Sequence, residues 1–279
     1  MTVTTAPPSL DDPELGETFL RLVGDGDENA AVDVVGGLLD AGVRPQRIMA
    51  DLIAPTQCRI GELWAANKWS VAREHAATAI SERALAAVAA RTSVRPVRGR
   101  ITVACVDGEW HALPVRILAE TLRLDGWRVD FLGANVPGPH LVTHLHQTGP
   151  DAVALSCMLP TRLPRAHVAI TACRSTGIPV IAGGRGFGPG GRYAEKLGAD
   201  AWAATAEDLG HILDFLAATL YVGEETIFTD FVEWTAAVLG ARGVPTAALR
   251  TGLGRYRDLL TDYPAARRTL DAGAGHLPA

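Results

Sequence analysis

The stretch "VDGEWHALP", residues 106–114, decides how the rest of the chain reads. It leaves a hydrophobic run, "ITVACV" at 101–106, and sets an acid, a tryptophan and a histidine side by side. A solvated turn draws on Gly, Asn, Asp or Pro and has no use for Trp110. The pattern therefore predicts a strand whose following loop meets something large and apolar, with His111 reaching toward it.

Working outward, short β-rich runs follow one another: "ITVACV", "WRVDFLG", "AVALSCM", "IPVIAG" and "AWAAT". Helical stretches separate them, the signature of a parallel sheet covered by helices. The reading is a doubly wound, five-stranded Rossmann-like domain over residues 99–219. Ligands of such sheets sit in the loops at the carboxyl ends of the strands. His111 follows the first strand, Ser156 ends the third, Gly183 and Gly184 end the fourth, and Thr205 ends the fifth. One rim thus gathers the candidate binding positions.

Upstream, residues 14–92 carry apolar residues three or four apart, broken at Gly24-Asp25-Gly26, at Gly42-Val43-Arg44-Pro45 and at Asn67-Lys68-Trp69-Ser70. Four helices with tight connections predict an antiparallel bundle. Residues 1–13 read as a disordered tail and "TSVRPVRGR" as a linker. Residues 221–279 read as a helical extension, in which Phe228, Phe231, Trp234 and Val238 fall at helical spacing and predict packing rather than a site.

The net charge is −5 with no basic block, which argues against electrostatic capture of nucleic acid. Cys58, Cys105, Cys157 and Cys173 are scattered with no CxxC pair, and read as reduced thiols of a cytoplasmic protein. No apolar run approaches the roughly 18 residues that a membrane helix needs.

At "GEWH" the sequence resembles a family. Cobalamin-binding Rossmann domains carry D-x-H-x-x-G, then S-x-L, then G-G. Here these positions hold Glu109-Trp110-His111-Ala112-Leu113-Pro114, then Ser156-Cys157-Met158, then Gly183-Gly184. The resemblance implies that His111 is the lower axial cobalt ligand. It also implies that Ser156, Met158, Gly183, Gly184 and Thr205 line the slot for the displaced nucleotide tail. Glu109 for Asp and Pro114 for Gly depart from the methyltransferase and mutase branches, which read D-x-H-D-I-G-K. The string looks instead like the cobalamin photoreceptors of the CarH type. Those carry a helical bundle in front, with a tryptophan followed ten residues later by Glu-His; here Trp64 precedes Glu74 and His75. Trp64 closes the third predicted helix, and Glu74 and His75 open the fourth behind Ser70, an N-cap candidate. The resemblance implies that all three cap the upper face of adenosylcobalamin. In some members a histidine directly after the tryptophan captures cobalt in the light; here that position is Ala65.

The function implied is an adenosylcobalamin-dependent light sensor that signals by domain rearrangement. With no helix-turn-helix module in sight, the expectation is action on a protein partner, by self-association, or through the C-terminal extension. Neither nucleic acid nor membrane is an expected target. The related photocobilin class adds a bilin such as biliverdin, for which Trp234 and Tyr256 are the candidate contacts. The alternatives are a corrinoid carrier of a methyltransferase system and a cobalamin store. Two lures carry less. Gly186 to Gly191 fits G-x-G-x-x-G but follows the fourth strand, not the first. His140, His144 and His146 have partial metal spacing on a helix without accompanying Cys or acids, and read as a solvated face.

Overall fold

The computed structural model describes Leu10 and residues 12–92, 94–204, 246–259 and 264–277. These form two compact units, Met1–Arg100 with His111–Gly133, and Ile101–Trp110 with Ala134–Ala279.

The first unit is mainly the predicted bundle. Helix α1 (Pro13–Asp25) starts behind Asp12, whose carboxylate accepts from the Glu14 N–H, and ends at Gly26 in the left-handed region. Helix α2 (Glu28–Asp40) is capped by Asp27 in the same manner. The third predicted helix is not uniform. A single turn, α3 (Pro45–Arg47), runs into a π-helical segment, Ile48–Ile53, and only then into α4 (Ala54–Ala65). The cause is legible in Pro55. It has no N–H to donate to the carbonyl four residues back, and its ring crowds that turn. Widening the turn, so that the Ala54 N–H reaches back to the Met49 carbonyl, relieves the clash. Helix α5 (Val71–Ala90) begins at Ser70, whose hydroxyl accepts from the Arg73 N–H.

The bundle core is built from Phe19, Val35, Leu38, Ile48, Met49, Ile53, Ile60, Leu85 and Val88, all sealed from solvent. Leu113 of α6 (Ala112–Leu124) joins this core. Leu10 packs against it as well, so ordered structure reaches into the segment read as a tail.

The five strands are β1 (Arg100–Val106), β2 (Arg128–Val136), β3 (Ala152–Ser156), β4 (Val180–Gly183) and β5 (Ala201–Ala203). They form one parallel sheet in the order β2-β1-β3-β4-β5. This is a doubly wound order, with its topological switch between β1 and β3. Cys105 pairs with Ser156 and Ser156 with Gly183, so the carboxyl ends of three strands are level. In the second unit α7 (Gly138–Thr148) lies against α8 (Leu163–Arg174), and α9 (Arg192–Lys196) against β5.

Helices α10 (Thr246–Leu259) and α11 (Pro264–His276) pack on each other, with Leu253 of α10 and Leu270 of α11 buried and Arg257 and Asp271 paired at 3.5 Å. Phe228, Phe231, Trp234 and Val238 lie outside the described residues. No described helix is long and apolar enough to cross a membrane.

Cys105, Cys157 and Cys173 are buried, and burial is the main reason their thiols are pushed up to about 12, 11 and 12. Cys58 is exposed. The thiolate is the reactive form, so a thiol-specific reagent applied to the native protein near neutral pH should modify Cys58 fast. The other three should react only after denaturant is added, which mass spectrometry of quenched samples would read.

Candidate functional site

The rim of the sheet is organised by a buried acid. After β1 the chain turns at once, the Glu109 N–H donating to the Val106 carbonyl at 2.9 Å. Gly108 within that turn has φ +75, a conformation that glycine adopts without strain. Asn135, at the end of β2 and itself at φ +51, clamps the turn. Its side-chain oxygen accepts from the Gly108 N–H at 2.8 Å, and its own N–H donates to the Glu109 carbonyl at 2.8 Å.

The Glu109 side chain is wholly buried. Its Oε2 accepts from the backbone N–H of Met158 at 2.8 Å and of Leu159 at 3.3 Å. A carboxylate from the loop after β1 thus holds the loop after β3, across the switch point of the sheet. Asp107, the other acid of the loop, pairs with Arg165 of α8 at 2.8 Å on the exposed side.

The loop after β4 is locked onto the same place by close packing. The Cys157 N–H donates to the Gly183 carbonyl at 3.0 Å, and the Gly186 N–H to the Cys157 carbonyl at 2.9 Å. A Cβ on Gly184 or on Gly186 would stand 2.6 Å from the Cys157 carbonyl oxygen, so neither position has room for a side chain. The Met158 sulfur lies 3.2 Å from that same point at Gly184. The structure accordingly brings Glu109, Ser156, Met158, Gly183 and Gly184 together, with Ser156 nearly buried at the end of β3. The G-x-G-x-x-G run beginning at Gly186 is part of this packing rather than the opening of a helix after the first strand.

Trp110 follows Glu109 directly and is 70% exposed. His111 comes next, as the N-cap residue of α6, and its imidazole makes no capping hydrogen bond to the helix. Thr205 lies outside the described residues. No cluster of three or more His, Cys, Asp or Glu suited to a metal occurs among the described residues.

In the bundle, Trp64 stands in the last turn of α4 and is 50% exposed. The tryptophan that serves the core is Trp69, which packs on Gly24 so closely that a Cβ there would meet the indole at 2.5 Å. Arg73 stacks over Trp69 at 4.3 Å and donates to the Gly24 carbonyl at 2.9 Å. Glu74 and His75 share a short hydrogen bond between Oε2 and Nδ1. Glu74 Oε1 accepts from the Thr78 hydroxyl at 3.0 Å, which accepts in turn from Gln57 Nε2 at 2.8 Å. Gln57 and Thr78 escaped sequence reasoning, as did Asn135; only the positive φ of Asn135, a conformation in which Asn is enriched, had any precursor in residue type.

The residues present fit a corrinoid. An exposed imidazole and an exposed tryptophan in the loop after β1, and a small-residue slot at the ends of β3 and β4, suit a metal-centred macrocycle with a long polar tail. Residues 15–89 and 99–214 each match a family described as a B12 binding domain. The chain is 35% identical over 139 residues to the HTH-type transcriptional repressor CarA of Myxococcus xanthus, covering 45% of this chain and 47% of that protein. It is 30% identical over 163 residues to the repressor CarH of the same organism, covering 57% and 53%. The chain thus spans about half the length of these curated relatives. Among solved structures, the monomethylamine corrinoid protein of Methanosarcina barkeri has the same fold. It matches with a TM-score of 0.63 at 14% identity, over 72% of this chain and 97% of that one.

Glu109→Ala should destabilise the protein by roughly 2–3 kcal/mol in urea unfolding, because two loop N–H groups lose a buried acceptor. Glu109→Gln keeps an acceptor oxygen and should cost less. Equal losses for the two variants would show that the hydrogen bonds to Met158 and Leu159 contribute little.

Proposed function

We propose, for a chain whose residues 15–89 and 99–214 are B12-binding domains, that it is a light sensor that uses adenosylcobalamin. The observation that carries this reading is the half-exposed Trp64 in the last turn of α4, together with the hydrogen-bonded Glu74–His75 pair in the first turns of α5, in a bundle whose core already has its tryptophan in Trp69. A carrier of methyl groups has no need of an aromatic cap shaped for a large upper ligand. The similarity to two repressors supports a regulatory role.

Cobalamin supplies a cobalt–carbon bond that visible light cleaves. The protein residues have separate tasks. His111 would offer an imidazole nitrogen to the cobalt, and Trp110 would flank it. Ser156, Met158, Gly183, Gly184 and Thr205 receive the nucleotide tail. Trp64, Glu74 and His75 contact the adenosyl group. Glu109 holds the loops after β1 and β3 in place. The signal passes to a protein partner or through self-association, without direct contact to nucleic acid. A bilin beside Trp234 and Tyr256 would be a second chromophore of the same sensor.

Ligands stabilise whichever conformation they contact better. One present at a hundred times its dissociation constant contributes about 2.7 kcal/mol, enough to hold a modest conformational preference. Green light should therefore change hydrogen exchange in the adenosylcobalamin form and leave the cyanocobalamin form unchanged. Trp64→Ala should blunt the response while the absorption spectrum keeps its histidine-ligated signature. Adenosyl loss with no change in exchange would make the protein a corrinoid carrier or store.

His111→Ala should weaken cobalamin binding and move the spectrum toward the base-off form. An unchanged spectrum and affinity would remove His111 from the cobalt.

A further inference from the structure

Behind the Glu74–His75 pair runs a chain of hydrogen bonds to which the proposed function gives no task. Gln57 Nε2 donates to the Thr78 hydroxyl at 2.8 Å, crossing from α4 to α5. The Thr78 hydroxyl donates to Glu74 Oε1 at 3.0 Å, one turn back along α5. Glu74 Oε2 meets Nδ1 of His75. Gln57 and Thr78 are partly buried, whereas the His75 side chain is 73% exposed. Gln57 also stands about two helical turns before Trp64, so the two share one face of α4.

Proton counting fixes the direction of every bond in this chain. A carboxylate only accepts, and a hydroxyl has one proton to give. Thr78 gives that proton to Glu74, so its other neighbour has to be a donor. The amide nitrogen of Gln57, which can only donate, is the atom placed there. With Oε1 of Glu74 taken by Thr78 and Oε2 turned to the histidine, His75 must hold its proton on Nδ1. A neutral imidazole has a single N–H, so Nε2 keeps its lone pair, and it does so on an exposed ring.

We propose that Gln57 and Thr78 are positioning residues that set which upper ligand of cobalamin the bundle prefers, an inference that rests on the adenosylcobalamin reading. They hold His75 as the Nδ1–H tautomer, which offers Nε2 as a hydrogen-bond acceptor. A nucleoside brings ribose hydroxyls and an exocyclic amine that can donate to it. A methyl group brings no donor. The relay therefore favours adenosylcobalamin over methylcobalamin, with both residues acting through Glu74 and His75.

The test uses the full chain with its histidines labelled with nitrogen-15, at a mildly alkaline pH where imidazole is neutral. His75→Gln identifies the His75 resonances by their loss. Without cobalamin, the wild-type His75 should show its proton on Nδ1. Thr78→Val keeps the side-chain shape, removes the hydroxyl and should shift the ring toward the Nε2–H form; Thr78→Ser should restore the Nδ1–H form. Adenosylcobalamin and methylcobalamin, each titrated in the dark, then give the ligand preference as a ratio of dissociation constants. That preference should fall about tenfold in Thr78→Val and recover in Thr78→Ser. Gln57→Met should lower it in the same direction by less. A tautomer that Thr78→Val leaves unchanged overturns the proposal, as does a ligand preference that survives the change of tautomer. Equal binding of the two cobalamins by the wild type would remove the adenosyl reading itself, and the tautomer measured without cobalamin tells the two failures apart.

Discussion

A carboxylate shut away from water is expensive unless backbone or side-chain donors surround it. Glu109 is such a group, and its Oε2 takes the N–H groups of Met158 and Leu159. The rim depends on this one interaction. Parallel strands end in loops that leave in the same direction but have no ladder to hold them together. Without a cross-link, the loops after β1 and β3 would move independently at the point where a doubly wound sheet binds its ligand. The buried acid converts them into one surface, and Asn135 and the close approach of Gly184 and Gly186 to Cys157 complete it. The same negative charge helps to keep the neighbouring Cys105 and Cys157 thiols protonated, after the larger effect of burial.

Much of this arrangement is legible in the sequence, for physical reasons that differ between elements. The period-two and near-continuous apolar runs mark the strands, and Ser156 and Gly183 stand at strand ends because the hydrophobic runs stop there. The order of the strands in the sheet is not a local property, and periodicity says nothing about it. The partner of Glu109 is hidden for the same reason: it consists of two backbone N–H groups some fifty positions away, which no side-chain pattern announces. "GEWH" marks the right loop but not what its acids hold. The structure shows Asp107 engaged with Arg165 and Glu109 with the neighbouring loop.

The two tryptophans near the end of the bundle make the complementary point. Trp64 and Trp69 are close in sequence and alike in composition, and either could have been the core residue. What separates them is the partner each finds. Gly24 leaves a hollow that accepts the Trp69 ring, and Arg73 covers its face. Once that hollow is filled, Trp64 has none. Its exposure is a result of allocation elsewhere in the bundle, not of anything in its own neighbourhood.

The widened turn ahead of α4 has a bearing on how such a protein changes over time. A π-helical turn accommodates one residue more than an α-helical one. Each residue of an α-helix rotates the next by about 100°. Trp64 therefore points about a quarter-turn away from where an uninterrupted helix would aim it. A lineage that lost Pro55 together with one residue of Ile48–Ile53 would straighten the helix and swing the indole around the axis. Its hydrophobicity would be untouched. The aim of this aromatic group is thus a trait that changes at two codons can alter, which makes the segment a natural place for related chains to diverge in what they recognise.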